Sequence, residues 1–226
     1  MKKFIKENYY TVYELAQNLR ELKFNLTALF LHIFNNIFRL NSFKPIEKIH
    51  FGSGTDNKKG FLNIDLNGEA DIFLDVRNKL NIPPGSVSYI YSSHFVEHLS
   101  HAALVFHLKE CCRILRKGGV LRVGVPDFES LLLNYERGSS DRFEEMRELL
   151  GKRFGLPTEL VTYMDQINRG VYEFGAHKTV LDFDKFKNLL IHVGFDESKI
   201  MRCEFDEVID PASRKGATIY IEVVKQ

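Results

Sequence analysis

Cysteine is scarce in this sequence. Its 226 residues include three cysteines, and two of them, Cys111 and Cys112, are adjacent. The chain therefore has neither the evenly paired cysteines of a disulfide framework nor a paired C-x-x-C zinc knuckle. Free cysteines are typical of a reducing compartment, so we expect a cytoplasmic location.

An excess of one charge is also missing. The 31 Lys and Arg residues nearly balance the 30 Asp and Glu residues, for a formal net charge of +1. This balance excludes a strongly basic nucleic-acid binder, and we expect no nucleic-acid partner. A hydrophobic content of 44% with 27% charged residues excludes a disordered chain. The length suits one α/β domain with a modest appendage.

The sequence has no uninterrupted apolar run of the roughly 20 residues that cross a membrane. Its most apolar stretch, residues 24–40, is interrupted by polar side chains at helical spacing. Those that share one helix face are His32, Asn35, Asn36 and Arg39. No small-residue cleavage site follows, so a signal peptide is not expected. We assign residues 1–45 to an N-terminal helical extension.

The other surface of this predicted helix is apolar. It carries Leu26, Leu29, Phe30, Ile33, Phe34, Ile37 and Phe38. One interpretation is packing against the helix's own domain or against a partner subunit, for instance in a homodimer. The other is an in-plane contact with a membrane surface, which would make the protein peripheral to the membrane. The weakly basic polar face favours packing.

After Pro45 the sequence alternates between strand-like runs and helical patterns. The predicted strands are residues 46–51, 61–66, 71–76, 87–93, 120–126, 200–208 and 217–224. The predicted helices are 95–115, a helical region 127–168 with a break around 137–140, and 182–195. Such alternation predicts an α/β fold whose mostly parallel, seven-stranded sheet is covered by helices on both faces, giving three layers.

Polar or glycine residues follow five successive predicted strands. They are Gly52-Ser53-Gly54, Asp65, Asp75, Ser92-Ser93-His94 and Pro126-Asp127. Ligands of open α/β sheets bind at the carboxyl ends of the strands. A glycine turn lets backbone approach a ligand closely. An acid after the second strand can accept hydrogen bonds from a ribose diol, and one after the third can accept from an adenine amino group.

In these segments the chain resembles the class I S-adenosyl-L-methionine (SAM)-dependent methyltransferases, and more narrowly the small methyltransferases associated with bacterial polysaccharide biosynthesis. The matching text is "IHFGSGTDNKKGFLNIDL", "ADIFLDV", "IPPGSVSYIYSSHFVEHL" and "ECCRILRKGGVLRVGVPDFESLL", within residues 48–133, with a weaker match at "FGAHKTVLDFDKFKNLLIHVGF". The resemblance implies a Rossmann-like domain over residues 46–226 with a helical lid insertion around 134–178.

The resemblance also implies roles for single residues. Gly52, Ser53 and Gly54 would hold the carboxypropyl end of SAM. Asp65, with Leu66 beside it, would bind the ribose, and Asp75 with the Val76 backbone would bind adenine. Ser92, Ser93 and His94 would line the methionine portion. The expected reaction is O-methylation of a sugar hydroxyl in a glycan or polysaccharide intermediate; the alternative is a non-catalytic SAM-fold scaffold module in a glycan-assembly complex.

Two positions depart from the family's glycine motif. It usually begins with an acid and often has a third glycine, and here those places hold His50 and Asp56. The missing acid loosens the expected contact with the amino group of SAM. Asp56 can either clash with the cofactor or take over part of that contact.

One short motif suggests a metal instead. His94-x-x-Glu97-His98 matches the pattern of the inverted zinc peptidases. That site needs both histidines on one helix face, and His94 directly follows a predicted strand. We therefore expect no metal, and we expect Glu97 and His98 to support the start of the helix.

A hydroxyl acceptor needs a base to take its proton. The candidates are Asp127 and His177, although Asp127 can instead cap the next helix and His177 can be an ordinary loop residue. The aromatic residues in the insertion, which can stack on a sugar or fill the core of the lid, are Tyr163, Tyr172 and Phe174. The pair Asp182-x-Asp184 is expected to cap a helix rather than bind a metal.

Overall fold

A computed structural model describes residues 9–40, 45–66, 69–138 and 141–226. Residues 1–8 and 41–44 of the predicted extension, and Ser139-Ser140 of the predicted break, lie outside the described residues. The extension contains helix α1 (Tyr9–Phe34), which continues into a π-helical turn at Asn35–Arg39.

The seven predicted strands form one sheet. They are β1 (Lys48–Phe51), β2 (Leu62–Asp65), β3 (Ile72–Phe73), β4 (Val87–Ser93), β5 (Leu115–Pro126), β6 (Ile200–Cys203) and β7 (Thr218–Val224). Their order is β3-β2-β1-β4-β5-β7-β6, and β7 runs antiparallel to the other six strands. The prediction of a seven-stranded, mostly parallel sheet is therefore confirmed, as is the terminal strand pair.

The described helices after β4 are α2 (His101–Ile114), α3 (Phe128–Arg137), α4 (Asp141–Phe154), α5 (Tyr163–Tyr172) and α6 (Phe183–His192). Helix α2 contacts β5 and α6, so α2 and α6 lie together against the sheet. Alternate strand residues on that face, including Ile49, Ile90 and Val123, are buried in one apolar core with side chains of both helices.

The opposite face of the sheet is polar. Its alternate residues include His50, Tyr91 and Arg122, all buried. Residues of loop segments contact this face: the Nζ atom of Lys58 lies 4.9 Å from the Tyr91 ring centre, and Asp210 pairs with Arg122. Helices on both faces, the expected third layer, stay a prediction.

The structure corrects the predicted helix from Phe95 to Leu115. Residues Val96–His98 form a 3₁₀ turn, and α2 begins only at His101, capped by the Ser100 side chain. Its C-terminal end is also earlier, because β5 already begins at Leu115. The backbone of residues 118–119 bonds to the backbone of Lys225, and the Lys225 ammonium donates to the carbonyls of Cys112 and Leu115. This long-range partner is not visible in the local sequence.

Other predicted bounds were too long. Strand β3 has two residues rather than residues 71–76, and β6 ends at Cys203 rather than at residue 208. The helical region 127–168 is three helices. Its second break lies at residues 155–162, where Gly155 has a φ of +66° and Pro157 precedes a 3₁₀ turn.

Helix α1 contacts the domain through its polar face. His32 Nδ1 accepts from the Asp75 backbone N–H (3.1 Å), and Asn35 Nδ2 donates to the Phe73 carbonyl (2.8 Å). Because β3 is an edge strand, its Phe73 carbonyl is open to Asn35, and His32 satisfies the Asp75 N–H just beyond the strand. The apolar face, including Leu29 and Phe30, is exposed in the single chain, so it does not pack on the chain's own domain, and its packing against a partner subunit stays a prediction. Within the described ranges, no helix is long and apolar enough to cross a membrane.

Candidate active site

Two adjoining cavities lie at the carboxyl ends of the parallel strands. The strand order reverses between β1 and β4, and such a switch point is where open α/β sheets bind ligands. The first cavity, of about 650 Å³, lies at this point and we call it the β1–β4 cavity. The second, of about 580 Å³, lies between the end of β5 and the helices that follow it, and we call it the helical cavity.

The glycine turn after β1 lines the β1–β4 cavity. Gly52 has a φ of +67°, and a Cβ atom there would lie 2.3 Å from the Phe95 ring, so the site requires glycine. Ser53 is buried and its hydroxyl has no hydrogen-bond partner among the described residues. The Gly54 backbone N–H donates to Asp65 Oδ2 (2.8 Å), which fixes the turn to the end of β2.

Nine of the ten predicted cofactor residues line the β1–β4 cavity. They are Gly52, Ser53, Gly54, Asp65, Leu66, Asp75, Val76, Ser93 and His94. The tenth, Ser92, is buried and does not line it. Successive strand residues point to opposite faces, so Ser92 lies on the face of the apolar core, opposite Ser93.

Asp75 is held by Arg77. The guanidinium donates to both carboxylate oxygens (2.7–3.0 Å), and the Arg77 backbone N–H donates to Oδ1 (3.0 Å). Burial opposes ionisation, but these hydrogen bonds outweigh it and lower the pKa of Asp75. The adenine amino group predicted to bind Asp75 would therefore meet a carboxylate that is ionised and held in one orientation.

His50, which stands where the family has an acid, is buried against Tyr91 and Asn63. Desolvation, assisted by the nearby Lys58 ammonium, lowers its pKa to about 4. A neutral imidazole lacks the negative charge with which a carboxylate attracts an ammonium group. Asp56 lines the same cavity with an exposed carboxylate that pairs with Lys58 Nζ (3.0 Å).

His94 lies at the junction of the two cavities. Its backbone has a φ of +50°, an uncommon conformation outside glycine that often accompanies functional sites. Arg214 donates to its Nδ1 (3.1 Å), which leaves Nε2–H to donate to Thr218 Oγ1 (2.8 Å). Arg214, Ser213 and His98 also line both cavities.

The two candidate bases line the helical cavity. Asp127 caps α3: its Oδ1 accepts from the Ser130 backbone N–H (2.9 Å) and its Oδ2 accepts from the Ser130 hydroxyl (2.7 Å). His177 Nδ1 donates to the Gly170 carbonyl (2.7 Å), so its Nε2 carries the unshared lone pair. The expected capping role of Asp182 is also found, since it accepts from the Lys185 backbone N–H (2.7 Å).

Glu97 lies at the boundary of the helical cavity and is fully buried. Neither carboxylate oxygen has a hydrogen-bond partner among the described residues. Desolvation raises the pKa of Glu97 to about 8. The prediction that Glu97 and His98 support the start of the helix is wrong for the Glu97 side chain, which makes no hydrogen bond there. His98 donates from Nδ1 to the Ala176 carbonyl (3.2 Å).

Tyr163 follows the second of the two predicted uses of the insertion's aromatic residues, filling the core of the lid rather than stacking on a sugar. Tyr163 stacks on Phe143 at 4.6 Å between ring centres, which places it in the core of the helical insertion. Tyr172 is exposed, and neither tyrosine lines the helical cavity. The side chain of Phe174 lies outside the described residues.

The sequence prediction missed Ser213 and Arg214. They lie in a 3₁₀ turn before β7, nearly 120 residues beyond His94, and the antiparallel pairing of β7 with β5 brings that turn to the cavities. A lone Ser-Arg in a polar loop carries no local signal. The signal for Glu97 was present in the motif, but His177, whose Nε2 lies 4.0 Å from Glu97 Oε1, is distant in the sequence.

No family model matches this chain, and neither does any curated protein. Similar solved structures include a SAM-dependent methyltransferase from Thermotoga maritima, described as a possible histamine N-methyltransferase, with 15% identity over 93% of this chain and 97% of that one and a TM-score of 0.47. A SAM-dependent methyltransferase from Archaeoglobus fulgidus has 16% identity over 92% and 99%, with a TM-score of 0.48.

A third similar structure is a Haemonchus contortus phosphoethanolamine N-methyltransferase in complex with SAM. It has 11% identity over 84% of this chain and 52% of that one, with a TM-score of 0.43. Because these identities and TM-scores are low, we infer the function of this chain from the geometry of its own two cavities.

Proposed function

We propose that this chain is a SAM-dependent methyltransferase that methylates a hydroxyl group of a sugar or glycan intermediate. The observation that carries the proposal is the pair of adjoining cavities that meet at His94, His98, Ser213 and Arg214. One cavity offers the groups that the sequence resemblance assigns to SAM, and the other offers separate space for an acceptor.

The β1–β4 cavity fits the proposed cofactor. The Ser53 hydroxyl is a buried polar group without a described partner, and Gly54 has open space where a side chain would stand. Asp65 lies beside the glycine turn, where its carboxylate can also accept from a ribose diol. When bound, SAM supplies an activated methyl group on a sulfonium, and the protein's contribution is to orient the two reactants.

The helical cavity suits an acceptor rich in hydroxyl groups. Besides the residues already described, its polar lining residues include Ser130, Asn134, Gln166, Arg169 and Glu173. The Gln166 Oε1 atom is buried without a hydrogen-bond partner among the described residues, and an acceptor hydroxyl would satisfy it. This polarity favours a sugar over an apolar acceptor.

The acceptor proton has to leave during the reaction. Asp127 already accepts two hydrogen bonds from Ser130, which makes it a capping residue. The helical cavity instead offers the unshared lone pair of His177 Nε2. That nitrogen can act on the acceptor hydroxyl directly or through a bound cation.

Transfer of a labelled methyl group from SAM to a panel of sugars, glycan intermediates and amines tests this function. We expect product with hydroxyl acceptors, and we expect Asp65→Ala to lower the affinity for SAM at least about tenfold because it removes a carboxylate partner of the ligand. Asp184→Ala, an exposed acid on α6, is the matched control and should behave as the unmodified protein. Methylation confined to amines would contradict the acceptor class.

A scaffold module is the second candidate, and the exposed apolar face of α1 favours it. A scaffold would bind SAM without turnover on any acceptor of the panel, and it would form a stable complex with a glycan-assembly protein only when residues 1–45 are present. Turnover that does not depend on residues 1–45 would exclude it.

A further inference from the structure

We propose that Glu97, His98 and His177 form a binding site for a divalent transition-metal ion, with zinc the best match. One ligand atom from each residue lies within 4.8 Å of the others. The sequence alone led us to expect no metal, because the motif that suggested zinc would have used His94. In the structure His94 bonds to Arg214 and Thr218, and His177 takes its place.

The backbone fixes the two segments that carry these residues. Glu97 and His98 lie in the 3₁₀ turn before α2, and His177 follows a second 3₁₀ turn. The backbone N–H groups of Lys178 and Thr179 both donate to the Glu97 carbonyl, at 2.8 and 3.1 Å. The three side chains therefore converge because their main chains are bonded to one another.

Both imidazoles are oriented for metal binding. A backbone carbonyl can only accept, so the contacts of His98 Nδ1 with Ala176 and of His177 Nδ1 with Gly170 require an N–H at each Nδ1. Each Nε2 is then unprotonated, and its lone pair is available to bind a metal ion. A histidine whose other nitrogen is fixed by a backbone carbonyl is the usual arrangement of a metal ligand.

The third ligand is a buried carboxyl group whose two oxygens have no hydrogen-bond partner among the described residues. Glu97 Oε1 lies 4.0 Å from His177 Nε2 and 3.8 Å from His94 Nδ1, too far for a hydrogen bond to either. The nearby Arg214 guanidinium donates to His94 instead. A buried carboxyl group without a hydrogen-bond partner is costly, and a cation among these three residues would displace its proton and be bound by the carboxylate.

Two imidazoles and one carboxylate are a ligand set that catalytic zinc sites use, with a fourth position left open. Ligand atoms about 2.0–2.1 Å from a tetrahedral ion are about 3.3 Å apart, so binding would draw these side chains together by about 1 Å. The open position would face the helical cavity, which all three residues line.

The consequence for the reaction rests on the proposed function. An acceptor hydroxyl at the open position would have its pKa lowered by the ion and would lose its proton to solvent water. The oxygen would then form its bond to the methyl carbon while the carbon–sulfur bond breaks, and the electron pair would stay on sulfur. His177 would thus act as a ligand, with no protein base required.

Calorimetric titration of the chelator-treated full chain with zinc chloride tests the site. We expect one ion per chain, and at least a tenfold loss of affinity in Glu97→Gln and in His177→Asn. His192→Gln, an exposed histidine on α6, should bind zinc as the unmodified protein does. Far-UV circular dichroism establishes that each variant is folded, and the visible spectrum of a Co²⁺-loaded sample reports coordination, which Glu97→Gln should alter.

Absence of stoichiometric zinc binding, or undiminished binding by folded Glu97→Gln, would overturn the site. A parallel titration with S-adenosylhomocysteine separates this result from the proposed function. If the protein binds S-adenosylhomocysteine but not zinc, the metal site alone is overturned. If it binds zinc but not S-adenosylhomocysteine, the methyltransferase function alone is overturned.

Discussion

Gly52 and Gly85 have the same backbone φ angle, +67°, but different surroundings. A Cβ atom at Gly85 meets nothing within 4 Å, whereas one at Gly52 would lie 2.3 Å from Phe95. Comparing the two positions separates the backbone requirement for glycine from the packing requirement at the proposed cofactor site.

We expect Gly52→Ala to lower the free energy of unfolding by about 2 kcal/mol more than Gly85→Ala, because overpacking adds to the shared backbone strain. Gly52→Ala should also weaken binding of S-adenosylhomocysteine, because Phe95 has to move beside the turn. Urea denaturation and calorimetry measure the two effects. Equal losses of stability in the two variants would show that the Phe95 ring does not exclude a Cβ atom at position 52.

His107 is a second residue whose surroundings decide its chemistry. It is buried in α2 between the rings of Phe51 and Phe95, and its Nδ1 has no hydrogen-bond partner among the described residues. Desolvation lowers its pKa to about 4. In the unfolded chain the same group has a pKa near 6.5, so the unfolded state binds more protons between these values.

The protein should therefore lose up to about 3 kcal/mol of stability through His107 as the pH falls from about 6.5 to about 4. His107→Leu removes this titration, so its free energy of unfolding should depend less on pH across that window. His101→Leu, an exposed position on the same helix, is the control. Denaturation at a series of pH values measures the slopes, and identical slopes for His107→Leu and the unmodified protein would contradict the assignment.

At the scale of elements, α1 is joined to the proposed adenine site. His32 on α1 accepts from the backbone N–H of Asp75, and Phe24 of the same helix lines the β1–β4 cavity. The extension is therefore part of the cavity wall, although its apolar face is exposed.

His32→Leu should lower the free energy of unfolding by about 1–3 kcal/mol, because it leaves the buried Asp75 N–H without its acceptor. It should also weaken cofactor binding, since Asp75 is then less firmly placed. Leu29→Ala, on the exposed face of the same helix, should change neither quantity. A His32→Leu variant with unchanged stability and affinity would show that α1 does not support the cavity.

The elements show which features local sequence can specify. Strand alternation placed all seven strands, because each apolar residue of one face recurs with period two. The segment 95–100 was misassigned because Phe95 and Leu99 have helical spacing, yet Phe95 packs on Gly52 in another part of the chain. The sequence predicted packing through the apolar face of α1. The helix contacts the domain through its polar face because side chains there hydrogen-bond to the backbone at and just after the edge strand β3.

At the scale of the whole molecule, one buried ion pair connects the sheet to the loop that reaches both cavities. Arg122 of β5 pairs with Asp210, which also accepts from the Tyr91 hydroxyl (3.2 Å) and from the Asp206 backbone N–H (2.8 Å). Asp210 is thereby fixed four residues before Arg214, which bonds to His94.

Asp210→Asn should cost about 3–5 kcal/mol of stability, because it leaves the Arg122 guanidinium buried without its main partner. It should also reduce methyl transfer, since the loop that carries Arg214 loses its attachment. Glu207→Gln breaks an exposed pair with Lys215 (3.4 Å) in the same loop and should cost less than about 1 kcal/mol. Chemical denaturation measures the free energy of unfolding of both variants. Comparable losses of stability would contradict a supporting role for the Arg122–Asp210 pair.

Some residues of the candidate site could be predicted from the sequence and others could not. Residues at strand ends, such as Asp65 and Asp75, could be predicted because the sheet topology places strand ends together. The helical cavity could not, because Glu97, His177 and Arg214 converge from three distant segments through backbone hydrogen bonds. Ser92 was misplaced by one residue, which in a strand changes the face of the sheet.

The proposed function depends on binding of SAM in the β1–β4 cavity. Calorimetric titration of the unmodified full chain with S-adenosylhomocysteine measures this binding in the absence of any acceptor. The structure predicts one molecule bound per chain, with affinity reduced at least about tenfold in Asp65→Ala and unchanged in Asp184→Ala. No detectable binding by the folded, unmodified protein would show that this cavity is not a SAM site, and equal affinity in all three proteins would show that Asp65 does not contact the ligand.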